Sequence, residues 1–85
     1  LIEDELSDGR YKFSARLEVD YINEAYKLDL PASEAYETLG GMIVHVTEQI
    51  PQKGETIAIE DFQITILEVS STKIELVELE VKEEN

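Results

Sequence analysis

The feature that most constrains this chain is its final third. Three apolar-rich runs, at about residues 55–59, 62–69 and 73–82, are separated only by Glu60-Asp61 and by Ser70-Ser71-Thr72. Parallel strands need a crossover of a dozen or more residues, so connections this short leave antiparallel hairpins as the only pairing available. Upstream, Leu39, Met42, Ile43, Val46 and Ile50 follow i, i+3, i+4, i+7 and i+11, one apolar stripe that predicts a helix over about 38–49, closed by Pro51. Earlier still, Tyr11, Phe13, Ala15 and Leu17 alternate with Lys12, Ser14 and Arg16, the period of a half-buried strand with a basic outer face. Asp20 is placed to cap a short helix running to about Tyr26, which Leu28-Asp29-Leu30-Pro31 then stops. The expected fold is therefore α+β, a two-layer β-α-α-β-β-β chain with a mainly antiparallel sheet covered by helices on one face.

With 85 residues, 42% of them hydrophobic, the chain has material for one modest core and one domain, expected over 10–82. The acid-rich stretch 1–9 carries no apolar periodicity and reads as a linker from an upstream region, and 83–85 reads as an acidic tail. The chain starts at Leu1, which suggests a segment of a longer protein. A net charge of −13 repels phosphate backbones and anionic lipid head groups, which argues against nucleic-acid and membrane-surface binding. No run reaches the roughly 18 apolar residues of a membrane span, so direct insertion is not expected. The absence of Cys removes disulfides, thiolate metal sites and cysteine nucleophiles.

Chemistry-bearing groups are sparse. His45 is the sole histidine and lies opposite the apolar stripe, with nothing at the spacing of a triad or a metal set. The carboxylates Glu60, Asp61, Glu75, Glu78, Glu80, Glu83 and Glu84 read as a solvated face. No catalytic or metal-ligating residue is assigned. Tyr11, Tyr21, Tyr26 and Tyr36 read as residues at the core edge. Gly40 and Gly41 stand out, because two glycines in the opening turn of a helix cost about 1 kcal/mol each against Ala. Close approach of another backbone is the ordinary explanation; a phosphate-cradling loop is the alternative, although neither a following Lys-Ser/Thr pair nor G-x-G-x-x-G spacing is present. The last strand also changes parity, from Ile74 and Leu76 to Val77, Leu79 and Val81. Either a β-bulge shifts the register, or both faces are covered and Val77, Leu79 and Val81 contact a partner.

Taken in order, several motifs make the chain similar to a known family. They are Asp8-Gly9-x-Tyr11, the helix beginning at Asp20 with Asn23, Leu28-x-Leu30-Pro31 and Tyr36-x-Thr38-Leu39-Gly40-Gly41. Ile50-Pro51-x-x-Gly54-Glu55 and Phe62-x-Ile64-x-Ile66-Leu67-Glu68-Val69 complete the set. Over roughly residues 8–81 the chain resembles the CorC/HlyC transporter-associated domain, the small C-terminal module of bacterial CBS-domain, hemolysin-like proteins linked to magnesium and cobalt efflux. At Thr72-Lys73-Ile74 the family usually has a basic pair centred on Arg, so no arginine role carries over there.

The resemblance implies a non-catalytic regulatory or assembly module at the cytoplasmic face of the bacterial inner membrane. Its partners would be the parent's CBS pair and membrane domain, with a second copy of the module as a further possibility. It also implies a fold like the small part of PCMH-type FAD-binding proteins. FAD or nucleotide binding is thus an alternative by fold analogy only, and no cofactor is expected.

Overall fold

A computed structural model describes residues 1–82. Seven elements follow in order: β1 (Glu3–Ser7), β2 (Arg10–Ser14), α1 (Val19–Tyr26), α2 (Leu39–Thr47), β3 (Thr56–Ile59), β4 (Phe62–Val69) and β5 (Ile74–Val81). The five strands form one antiparallel sheet in the order β1-β2-β5-β4-β3. The two helices lie in the connection from β2 to β3, and the chain then returns through two hairpins to place β5 between β2 and β4. This is the expected α+β architecture with one strand added.

That strand, β1, lies inside the stretch expected to be a linker. Four of its five residues are exposed, so it carries no apolar alternation to betray it. Backbone pairing to β2 holds it, and charged side chains blunt the open edge. One side chain adds a tether, the Glu3 carboxylate, which accepts hydrogen bonds from the Tyr21 hydroxyl (2.5 Å) and the Tyr26 hydroxyl (2.7 Å) of α1. These bonds hold the Glu3 carboxyl below its ordinary range and, with burial, push both phenols up. The expected tail at 83–85 lies outside the described residues.

The core forms where the inward residues of the sheet meet the helices. Tyr11, Phe13, Ile64, Ile66, Val77 and Leu79 pack against Val19 and Ile22 of α1 and Leu39, Met42 and Ile43 of α2. Tyr11, Phe13 and Tyr26 form an aromatic cluster with ring centroids 5.0–5.2 Å apart.

The parity change in β5 is a pair of bulges. Between the partners Ile66↔Val77 and Glu68↔Leu76 the extra residue is Leu67 on β4; between Glu68↔Leu76 and Val69↔Ile74 it is Glu75 on β5. Each insertion moves its strand by one residue, and the two offset each other. Ile74, Val77 and Leu79 consequently all point inward, at 2%, 0% and 0% exposure. Val81 is half-buried against the same core. The expected partner contact through Val77, Leu79 and Val81 therefore fails at Val77 and Leu79, which have no surface to offer, and only Val81 keeps part of its surface.

Helix boundaries shift for local reasons. Helix α1 begins at Val19 after Glu18, which makes no side-chain cap bond, so Asp20 sits in the first turn instead of capping it. A carboxylate there still meets the positive end of the helix dipole. Helix α2 ends at Thr47, where Glu48 turns left-handed (φ 63°), and the predicted stripe is buried only from Leu39 to Ile43: Val46, still in the helix, and Ile50, beyond it, are 46% and 37% exposed.

Candidate functional site: the glycine groove

The helix-terminal glycines form the floor of a groove. Strand β2 ends at Ser14, three residues earlier than the alternation to Leu17 predicts, and residues 15–17 fold over the N-terminus of α2. There the Leu17 carbonyl accepts from the Leu39 N–H and the Ala15 carbonyl from the Gly40 N–H, both at 2.9 Å. Thr38 supplies the remaining acceptors: its Oγ1 takes the Gly41 N–H (3.1 Å) and its carbonyl the Met42 N–H (2.9 Å). The Met42 bond is the first within the helix, so three of the N–H groups that a helix N-terminus normally leaves free, those of Leu39, Gly40 and Gly41, find acceptors outside the helical ladder.

The two glycines do different work. A Cβ on Gly40 would lie 3.2 Å from the Ala15 Cβ and 3.3 Å from the Ala15 carbonyl oxygen. Ala15 cannot retreat easily, because its N–H is held by the Glu75 carbonyl of the β5 bulge at 2.9 Å. Gly40 thus permits the close approach of α2 to the 15–17 loop and, through it, to the sheet. Gly41 faces the other way, and its Cβ would meet the Thr38 Oγ1 and the Tyr36 Cβ, both at 3.2 Å. The phosphate-cradle alternative loses its donors, since the N–H groups it requires are already used.

Above this floor opens a groove of about 510 Å³ lined by Ala15, Arg16, Gly40, Val44, Ile50 and Lys73, among others. Among the described residues, neither a carboxylate nor a histidine lines it. Arg16, expected beside Lys12 on the outer face of a strand, instead stands at the groove because the strand has already ended. Lys73 stands on its β5 side, where the resemblance leads one to expect arginine. Arg10 is bonded to Glu78 at 2.7 Å and Lys53 reaches Glu68 at 3.9 Å, whereas among the described residues neither Arg16 nor Lys73 has an ion-pair partner. A single sequence shows the charges of these residues but not that they converge; the turn at residues 15–17 does that.

The remaining motif residues are scaffold. Asn23 clamps the chain after α1, its Nδ2 donating to the Leu30 carbonyl (3.0 Å) and its Oδ1 accepting from the Leu30 N–H (2.8 Å). The Tyr36 hydroxyl donates to the Pro31 carbonyl. His45 is exposed beside the Tyr36 ring, 5.3 Å between centroids. On another face, Glu18, Asp20, Glu34 and Glu37 line an open acidic cleft of about 680 Å³. Among the described residues, no group of three or more His, Asp or Glu side chains is placed to hold a metal ion.

The comparisons agree with this geometry. The model of the CorC_HlyC family, the transporter associated domain, matches residues 4–83. The UPF0053 inner membrane protein YfjD of Escherichia coli (strain K12) is 32% identical over 73 residues, covering 86% of this chain and 17% of YfjD. The chain spans only 14–17% of the length of the curated relatives it matches. Among solved structures, a functionally unknown conserved protein from Haemophilus influenzae Rd KW20 superposes with a TM-score of 0.85 at 26% identity, covering 95% of this chain and 99% of that one. A CorC_HlyC domain from a Xylella fastidiosa Temecula1 hemolysin, in complex with Mg²⁺ and Mn²⁺, superposes at 0.79 with 22% identity, covering 98% and 100%. A family match that runs from strand β1 through β5 makes this chain a member of the CorC_HlyC transporter associated domain family.

Proposed function

We propose that this domain is a non-catalytic regulatory or assembly module of a membrane-bound parent, one that carries a cytosolic CBS pair and exports divalent cations such as magnesium or cobalt. The observation that carries this reading is the family match over nearly the whole chain, joined to an inner membrane relative of which the domain is a small fraction. No helix among the described residues is long and apolar enough to cross a membrane, so the crossing belongs in this reading to the rest of the parent. The module then sits on the cytoplasmic face and acts by touching its neighbours.

The site chemistry is consistent with contact. A nucleophile needs a base within hydrogen-bond reach, and among the described residues lining the glycine groove there is neither carboxylate nor imidazole to supply one. FAD does not fit the groove either, because a pyrophosphate would require the α2 N–H groups that Ala15, Leu17 and Thr38 already occupy. The test is an in-frame deletion of this domain from the parent, expressed in cells challenged with Mg²⁺ or Co²⁺. Altered metal retention at unchanged membrane abundance supports a regulatory module, whereas loss of the parent from the membrane supports an assembly module. Unaltered retention with unaltered assembly refutes both.

A further inference from the structure

The glycine groove has a composition unlike the rest of the surface. The chain has 20 acidic against 7 basic residues, yet among the described residues no acid lines the groove, and Arg16 and Lys73, which do line it, have no ion-pair partner. Arg16 and Lys73 share the lining with Ala15, Gly40, Val44 and Ile50, and Ile50 is 37% exposed. An apolar floor favours an apolar side chain, and exposed cations at its rim favour carboxylates. An inorganic or nucleotide phosphate is a poorer match, because the Leu39, Gly40 and Gly41 N–H groups are already bonded and the lining is mostly apolar.

We propose that this groove receives an extended peptide segment in which an apolar side chain is flanked by carboxylates. The apolar group rests over Gly40, Gly41 and Val44, while the carboxylates pair with Arg16 in the loop between β2 and α1 and with Lys73 just before β5. A second copy of the domain is disfavoured as occupant, since two bodies of net charge −13 repel each other. This deepens the contact-module reading and rests on it, naming the surface through which the parent's own chain or a neighbour would be engaged.

The test uses the 85-residue chain and a blocked peptide of about eight residues alternating Glu and Leu, titrated by NMR at about 50 mM salt. A Lys-Leu peptide and a Glu-Ser peptide of equal length serve as controls. The expected result is saturable movement of the Gly40 and Gly41 amide signals with Glu-Leu, and weaker or absent movement with the controls. Arg16→Glu with Lys73→Glu weakens binding about tenfold or more, whereas Lys12→Glu with Lys27→Glu, an equal change in net charge away from the groove, costs less than about threefold. The proposal is overturned if Glu-Leu gives no saturable movement, if Lys-Leu binds as tightly, or if both charge-reversed pairs lose affinity equally. The binding assay is independent of transport. A failed groove with a deletion that still alters metal retention would leave the proposed function standing.

Discussion

Replacing Gly40 by alanine pits helix propensity against packing, and the structure decides the sign. Propensity alone favours Ala by up to about 1 kcal/mol, less so in a first turn. Against it stands the new Cβ, 3.2 Å from the Ala15 Cβ and 3.3 Å from the Ala15 oxygen, where ordinary contact begins near 3.4 Å. Relief requires Ala15 to move, but its N–H is tied to Glu75 and its carbonyl to Gly40 itself. Overpacking of this kind costs about 1–3 kcal/mol, so the net expectation for Gly40→Ala is a loss of about 1 kcal/mol, rising to about 3 kcal/mol for Gly40→Val. In a domain of this size 1 kcal/mol corresponds to a fall in Tm of about 4–8 °C. Urea denaturation followed by circular dichroism, with unchanged slope, measures it. Repeating Gly40→Ala in an Ala15→Gly background removes the nearest atom and should recover about half the loss, a coupling that two independent sites would not show. Gly41→Ala meets the Thr38 Oγ1, held by the Gly41 N–H, and the Tyr36 Cβ, both at 3.2 Å, so it should also cost about 1 kcal/mol, but with no coupling to position 15. Stabilisation by Gly40→Ala, or no coupling with position 15, would refute the close-approach account.

Other expectations follow from the same structure. The hydrogen bonds from Tyr21 and Tyr26 lower the Glu3 pKa below its ordinary value near 4.5, so their stabilisation is present above that pH and is lost as pH falls through the folded value. The same bonds, with burial, raise the Tyr26 pKa above its ordinary 10, so stability is present below pH 10 and is lost as pH rises beyond it. Glu3→Gln should therefore flatten both flanks of the Tm-versus-pH curve, and an unchanged curve would remove the tether from the account. Val77→Lys buries a charge at a site of 0% exposure and should cost more than about 3 kcal/mol by thermal melting, whereas Leu76→Lys, half-buried on the opposite face, should cost under about 1 kcal/mol. Equal effects would contradict the bulged register. Asn23→Ala leaves the Leu30 N–H and carbonyl without their partners and should cost about 1–3 kcal/mol in urea denaturation, with Asn23→Asp losing only part of that.

What could be read from the sequence, and what could not, divides along physical lines. The hairpins of β3, β4 and β5 were legible because loop length limits pairing geometry, and strand β4 was legible in full from Phe62 to Val69. Strand β1 was not, because an exposed edge strand is held by backbone bonds and one carboxylate, neither of which leaves a periodic pattern. The mixed parity of β5 left open a bulge or a partner, and Val77, Leu79 and Val81 were expected at a partner; the choice depends on Leu67 and Glu75 being the unpaired extra residues of β4 and β5, a tertiary fact. The glycines announced a close approach, but not that Gly40 faces Ala15 while Gly41 faces Tyr36. The early end of β2 at Ser14, which carries Arg16 to the groove, had no signal in the alternation, since Ala15 and Leu17 are buried whether in a strand or a turn.

The central claim is that the domain acts on its parent by contact through the glycine groove. The most direct measurement is the rate of Co²⁺ efflux from cells or vesicles containing the full-length parent, compared with the parent carrying Arg16→Glu and Lys73→Glu in this domain. The account predicts a change in rate of at least about twofold, in either direction, at equal membrane abundance and with the isolated variant domain melting within a few degrees of the original. An efflux rate identical to that of the unsubstituted parent under those conditions would contradict it.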